Sequence, residues 1–372
     1  MKAVKREKRA APTRFVTFST SAARIVLALL VVILVVGLPQ GTRRAPASTA
    51  VGGPSDSRFY QAVVARVKRG EPYDQAAITE QRARDYPLRP FIAVRPPILA
   101  TMLSWAPNPI IPILVEWLLA LGVVGAWVFR LRPVRPGPRL MSWTAFFVFT
   151  GVLVDMNGET SSVFHEAWAG LLIALSLALR TDKRFAAAVA LGLLAALVRE
   201  LAMPYLLVMA MFAAAERRRR EALAFAAALL ASGVALAFHA QAVQALVTSR
   251  DPISPGWAAL GGWRFVMAAS NWNALGAALG LWSSAILLPL ALIGSASWKD
   301  PAGLRLATLL VGYGLGFVFI GRPDNSYWGL VIAPLLGVGL ALAPAALRDL
   351  WVRASSPRFA RGVGPEPRGA SQ

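Results

Sequence analysis

The chain has 372 residues and is 56% apolar before its 30 glycines are counted, with 16% charged residues and a formal net charge of +20. An ordinary soluble domain is about 45–50% apolar with glycine included and about 25% charged, and a single soluble core does not grow much beyond this chain length. A water-soluble enzyme, a disordered chain and a fibrous protein are therefore excluded, and the composition is that of an all-α polytopic membrane protein.

Taken in chain order, residues 1–21 form a basic tail, and Ala22–Pro39 is the first run apolar enough to cross a bilayer. It reads as an uncleaved anchor or as a signal peptide with Ala45-Pro46-Ala47 as its cleavage motif; the long leader favours the anchor. A long outer loop, residues 40–95, follows. Within it, Phe59, Tyr60, Val63, Val64 and Val67 recur at helical spacing, which predicts an amphipathic helix on the membrane surface, ended by Gly70 and Pro72. Asp56 stands at its start, either as an N-cap or as a carboxylate held at the lipid–water boundary. Pro96-Pro97 then leads into an apolar segment ending at Trp105, too short to cross and so expected to be re-entrant or in-plane. Arg95 at its mouth suits a lipid phosphate, or snorkels to water.

Nine further apolar runs complete an expected ten crossings: Ile110–Phe129, Leu140–Met156, Val163–Leu179, Phe185–Val198, Leu201–Ala215, Ala222–His239, Ala274–Ser297, Leu304–Ile320 and Trp328–Leu347. One membrane domain thus spans residues 22–347, and residues 348–372 form a basic C-terminal tail. With the N-terminus cytoplasmic, 25 of the 39 Lys and Arg residues fall on the inner side and ten of the remaining 14 lie in the long loop. This satisfies the positive-inside rule, which discounts long loops. Both termini are expected in the cytoplasm, and basic runs such as Arg217–Arg220 are assigned to topology and anionic lipid instead of nucleic acid. Trp105, Trp143, Trp168, Trp263, Trp298, Trp328 and Trp351 fall near span ends, as interfacial anchors do.

Ionisable residues in or beside spans are costly and so are functional candidates. Asp155, Glu159, His165, Glu166, Arg199, Glu200, Asp251, Arg264, Arg322 and Asp324 all fall on the outer side of this topology. Arg199, Arg322 and Arg95 are the candidate phosphate ligands, because a guanidinium fork matches phosphate oxygens; an ion pair with Glu200 or another carboxylate is the structural alternative for Arg199. The turn Gly321–Trp328 gathers Asp324, Asn325 and Tyr327, the hydrogen-bonding and stacking groups a sugar ring needs, although a plain turn also favours Pro, Asp and Asn. Asp155 and Glu159 offer oxygens to a divalent ion, an alternative that two carboxylates without a further pattern support only weakly, and no cofactor is expected. His165 and Glu166 either orient an acceptor or stabilise a helix start, and His239 reads as an ordinary interfacial histidine. With no cysteine, thiolate chemistry and disulfides drop out.

Asp56 soon after the first span, then Tyr60, then Gly70-Glu71-Pro72-Tyr73, then Pro96-Pro97 before a short apolar helix, resemble the GT-C-type membrane glycosyltransferases. The nearest likeness is to the bacterial polyprenyl-phosphate-sugar-dependent, mannosyltransferase-like branch, and it covers about the first third of the chain. The resemblance implies an inner-membrane enzyme that moves a sugar from a polyprenyl-phosphate donor to a glycan or lipid acceptor, with Asp56 as general base. Arg95-Pro96-Pro97 departs from the Tyr-Pro-Pro often found in that family, and the expected basic tail, residues 348–372, stands where many members carry a soluble C-terminal domain. A transporter or flippase for a lipid or small anion, and a non-catalytic subunit of an envelope-polysaccharide complex, are the alternatives.

Overall fold

The computed structural model describes residues 13–42, 54–134, 137–153 and 162–356, with only the backbone at 54 and 55. Asp155, Glu159 and most of the two tails lie outside these residues. The described chain is helical, with no strand and a single isolated bridge between Arg89 and Ile253. Five helices are long and apolar enough to cross a membrane: α1 (Thr20–Thr42), α5 (Ile110–Leu131), α10 (Arg219–Leu246), α14 (Pro301–Phe319) and α15 (Ala333–Ser355). Their outward residues are large and apolar, among them Leu118, Phe129, Leu230 and Phe238, each at least 67% exposed. A surface of this kind is not sustained in water.

Shorter helices lie where the other spans are expected: α6 (Pro138–Val152), α7 (His165–Leu179), α8 (Ala186–Val198), α9 (Met203–Ala215) and α13 (Leu281–Ser297). Two expected runs are broken. Ala274–Ser297 divides into α12 (Ala274–Leu279) and α13, because Gly280 takes a φ of +86°, open to glycine at no steric cost. The run from Trp328 begins as the end of a 3-10 turn, Pro323–Val331, and becomes α-helical only from Ala333. The core lies between α7, α13 and α15; α7 is buried on nearly every face, the signature of an interior helix.

Close backbone approach holds α13 against α15. A Cβ at Gly294 would stand 2.0 Å from the Gly339 carbonyl oxygen, and one at Gly339 would stand 2.4 Å from that of Ala291. Small residues are what such crossings require. Gly294→Ala is expected to cost about 1–3 kcal/mol through overpacking, read as a lower thermal midpoint in detergent. Gly312→Ala, where a Cβ meets nothing within 4 Å, is the control that leaves the midpoint in place.

Polar contacts gather several helix ends at one end of the molecule. There the Thr13 amide donates to Asp349, Arg353 donates to the Phe18 carbonyl, and Arg14 donates to the Trp298 carbonyl. Arg180 pairs with Glu221 at 2.8 Å, Arg305 with Glu216 at 2.7 Å, and Arg130 with Asp300 at 3.3 Å. The described termini therefore share the basic end.

At the opposite end sit the three helices of the long loop: α2 (Pro54–Lys68), α3 (Tyr73–Arg82) and α4 (Ile98–Ser104). The apolar face expected for α2 exists, but protein covers it. Phe59 and Val63 are buried against Ala76, Ala77, Leu88, Val94 and Val243, with Tyr60, Val64 and Val67 packed alongside. The loop is also pinned to the chain after α10. Arg82 grips Asp251 through two 2.7 Å bonds, and Arg89 donates to the Asp251 and Ser249 carbonyls.

The Arg82 bond holds the Asp251 carboxyl well below its ordinary 3.8. A depressed folded pKa contributes stability above the unfolded value that is lost as pH falls through the folded one. Asp251→Asn is thus expected to lower the thermal midpoint at neutral pH and to flatten the stability curve below about pH 4. Superimposable acid limbs for the two proteins would contradict this.

Candidate functional site

Beneath the loop helices lies a cavity of about 350 Å³. Asp56, Tyr60, Arg95, His165, Arg322, Asp324, Asn325 and Tyr327 all border it, so eight of the residues singled out by sequence meet at one place. They come from α2, the turn before α4, the start of α7 and the 3-10 turn before α15.

Helix α2 starts at Pro54, which puts Asp56 inside its first turn instead of at the cap. An acid there is favoured by the positive end of the helix dipole. The Tyr86 hydroxyl donates to Asp56 Oδ1 at 2.6 Å and fixes the carboxylate at the cavity edge.

Arg95 does not snorkel to water. Its Nε donates to the Tyr60 hydroxyl at 3.1 Å and its Nη2 to the Tyr327 hydroxyl at 2.6 Å, while Glu166 Oε1 lies 3.4 Å from Nη2. The Tyr73 hydroxyl donates to the Arg95 carbonyl at 2.7 Å. Three elements thus hold one guanidinium, its side chain 12% exposed, and a fourth holds the Arg95 backbone. Burial raises the phenols of Tyr60 and Tyr73 above their ordinary value, so both remain protonated.

Arg199 is placed differently from the sequence expectation. It is 1% exposed, its Nε donates to Glu166 Oε1 at 2.6 Å, it pairs with Glu200, and it does not border the cavity. The ion-pair alternative describes it, and a phosphate would have to displace Glu166 to reach it. Glu166 and Glu200 accordingly stand behind the cavity wall. Arg322 is the second guanidinium at the cavity; its Nε donates to Asp324 Oδ1 at 3.1 Å. Glu159 lies outside the described residues, and among those residues no group of three His, Asp or Glu side chains is arranged to hold a metal.

Tyr86 and Trp257, not singled out by sequence, border the cavity, as do Tyr73 and Trp328, which sequence named only in a motif and in a turn. Trp168, Trp298 and Trp328, expected as interfacial anchors, are at most 6% exposed, whereas Trp105, Trp143 and Trp351 are at least 55% exposed. His239 is likewise buried, not interfacial: Nε2 meets the Val94 carbonyl at 3.0 Å and Nδ1 faces Asp74 at 3.3 Å, behind the Arg95 turn.

The all-helical fold, the outward apolar surface and the polar cavity at one end define the class as a helical membrane protein. Comparison of the chain with protein-family models, curated proteins and solved structures finds no match in any of the three.

Proposed function

We propose that the chain is a ten-span glycosyltransferase of the bacterial cytoplasmic membrane, with both termini in the cytoplasm, that moves a sugar from a polyprenyl-phosphate donor to an acceptor hydroxyl at the outer face. The observation that carries the reading is the meeting of Asp56 with Arg95 and Arg322 at one cavity, at the end of the bundle opposite the first and last described residues. Placing the basic end inside follows the positive-inside rule.

In this reading the acceptor O–H gives its proton to Asp56, held for the task by Tyr86. The acceptor oxygen bonds to the anomeric carbon as the bond from that carbon to the phosphate oxygen breaks. The departing lipid phosphate gains a negative charge, which Arg95 and Arg322 are placed to stabilise. Glu166, itself held by Arg199, holds Arg95 from behind, and neither touches substrate.

The test uses the full chain in proteoliposomes with polyprenyl-phosphate hexoses and pentoses labelled in the sugar. The proposal expects sugar transfer to an acceptor with one polyprenyl phosphate released per sugar. Movement of intact donor across the bilayer would overturn it in favour of a transporter. Absence of both, with every donor, would favour a non-catalytic subunit.

A further inference from the structure

The two guanidinium groups at the cavity are held in different ways. Arg95 uses Nε and Nη2 on two hydroxyls, and the carboxylate that faces it, Glu166, is shared with Arg199. None of these contacts involves Nη1. Arg322 has a carboxylate of its own. Its Nε donates to Asp324 Oδ1 at 3.1 Å and its Nη2 to Asp324 Oδ2 at 2.5 Å, so two parallel bonds fill one edge of the fork. A guanidinium takes two phosphate oxygens in the same arrangement. Asp324 therefore stands where a phosphate would bind Arg322 best. Among the described residues, two carboxylates and two guanidinium groups border the cavity, so its wall offers an anion no net charge.

Local structure makes this pair separable. Its side chains are 24% and 25% exposed, whereas those of Arg199 and Glu166 are 2% exposed each. Parting Arg322 from Asp324 thus strands no charge in a dry interior. Arg322 has extended backbone just before the 3-10 turn Pro323–Val331, and Asp324 lies in the first turn of that element. The N–H groups at such an end have no partners within the turn and favour a carboxylate. A released Asp324 keeps water and this end of the turn as its surroundings. Both residues border the cavity, so an exchange of partners takes place within its wall.

We infer that Asp324 is a displaceable counterion, which holds the Arg322 fork until a phosphate group takes it and so lowers the affinity of the cavity for phosphate. This role differs from contact with a sugar ring. The origin of that phosphate in a lipid donor rests on the proposed sugar transfer, but the exchange is measurable without turnover.

The experiment uses the full chain in nanodiscs, with neryl phosphate and inorganic phosphate as probes and calorimetry as the readout. Wild type, Asp324→Asn and Asp324→Ser are compared, each alone and combined with Arg322→Gln. Both replacements stay polar on a partly exposed turn residue, so the thermal midpoint should hold. Each is expected to bind neryl phosphate about two- to fivefold more tightly than wild type, the effect of removing a partly exposed ion pair that competes for the cation. In the Arg322→Gln background the gain is expected to vanish. Unchanged or weaker binding by both variants would overturn the inference, as would no binding of either probe by any protein. An equal gain in the Arg322→Gln background would also overturn it, because Asp324 would then act only as a distant charge. A gain as large with inorganic phosphate would keep the exchange and place it on a free phosphate. Tighter phosphate binding without sugar transfer from any donor would keep the inference and remove the transfer. Transfer by wild type, with no gain in either variant, would keep the transfer and remove the inference.

Discussion

Asp56→Asn is expected to lower sugar transfer by about 10²- to 10⁴-fold, the usual contribution of a positioned general base, while leaving the fold intact. The asparagine keeps an oxygen that accepts from the Tyr86 hydroxyl, and the residue is neither at the helix cap nor deep in the core. Loss of the charge also weakens the interaction with the helix dipole, by about 0.3–1 kcal/mol. The contrast is therefore between a near-complete kinetic loss and a shift of a degree or two in thermal midpoint. Tyr86→Phe removes the hydroxyl but not the base, and should fall between wild type and Asp56→Asn. Normal turnover by Asp56→Asn would remove this carboxylate from the chemistry.

Glu166→Gln should act in the opposite way, on stability first. Glu166 is 1% exposed and lies between two guanidinium groups, Arg199 at 2.6 Å and Arg95 at 3.4 Å. Taking away one member of a buried ion pair leaves an uncompensated buried charge and costs about 3–5 kcal/mol. In the variant Arg199 retains Glu200, but Arg95 retains only the hydroxyls of Tyr60 and Tyr327. A large drop in thermal midpoint is expected, together with loss of transfer because Arg95 is no longer fixed. Adding Arg95→Gln to Glu166→Gln removes the stranded cation and should recover part of the stability but not the activity. A single variant as stable as wild type would show that the three charges are not coupled.

The contrast between these variants follows from a distinction that sequence conveys only in part. Long apolar runs are legible because nothing else accounts for 20 such residues, and α1, α5, α10, α14 and α15 lie where those runs are. The short amphipathic helices α3 and α11 (Gly262–Ser270) are not, because their few apolar residues sit inside polar connections. The break at Gly280 is set by one backbone angle that hydropathy does not register. Glu116 within α5 is 2% exposed, a burial that its place in an apolar run does not convey.

At the site, cost was a good guide to which residues matter and a poor guide to what each does. Arg199 and Arg95 look alike as guanidinium groups beside spans. Only the tertiary fold, which brings Glu166 across 33 positions to Arg199, makes one a buried strut and leaves the other at the cavity. Tyr86 stands 30 positions from Asp56 and carried no signal of its own. Trp328 fits an interfacial anchor by position, yet the 3-10 turn rotates it inward, because its neighbours at every third residue face the same way.

The most direct test of the account is a structure of the full chain in nanodiscs with neryl phosphate bound. The account predicts phosphate oxygens within hydrogen-bond distance of Arg95 and Arg322, with the Asp56 carboxylate facing the same volume. A phosphate seated elsewhere, or bound at the basic end among Arg130, Arg180 and Arg305, would contradict it.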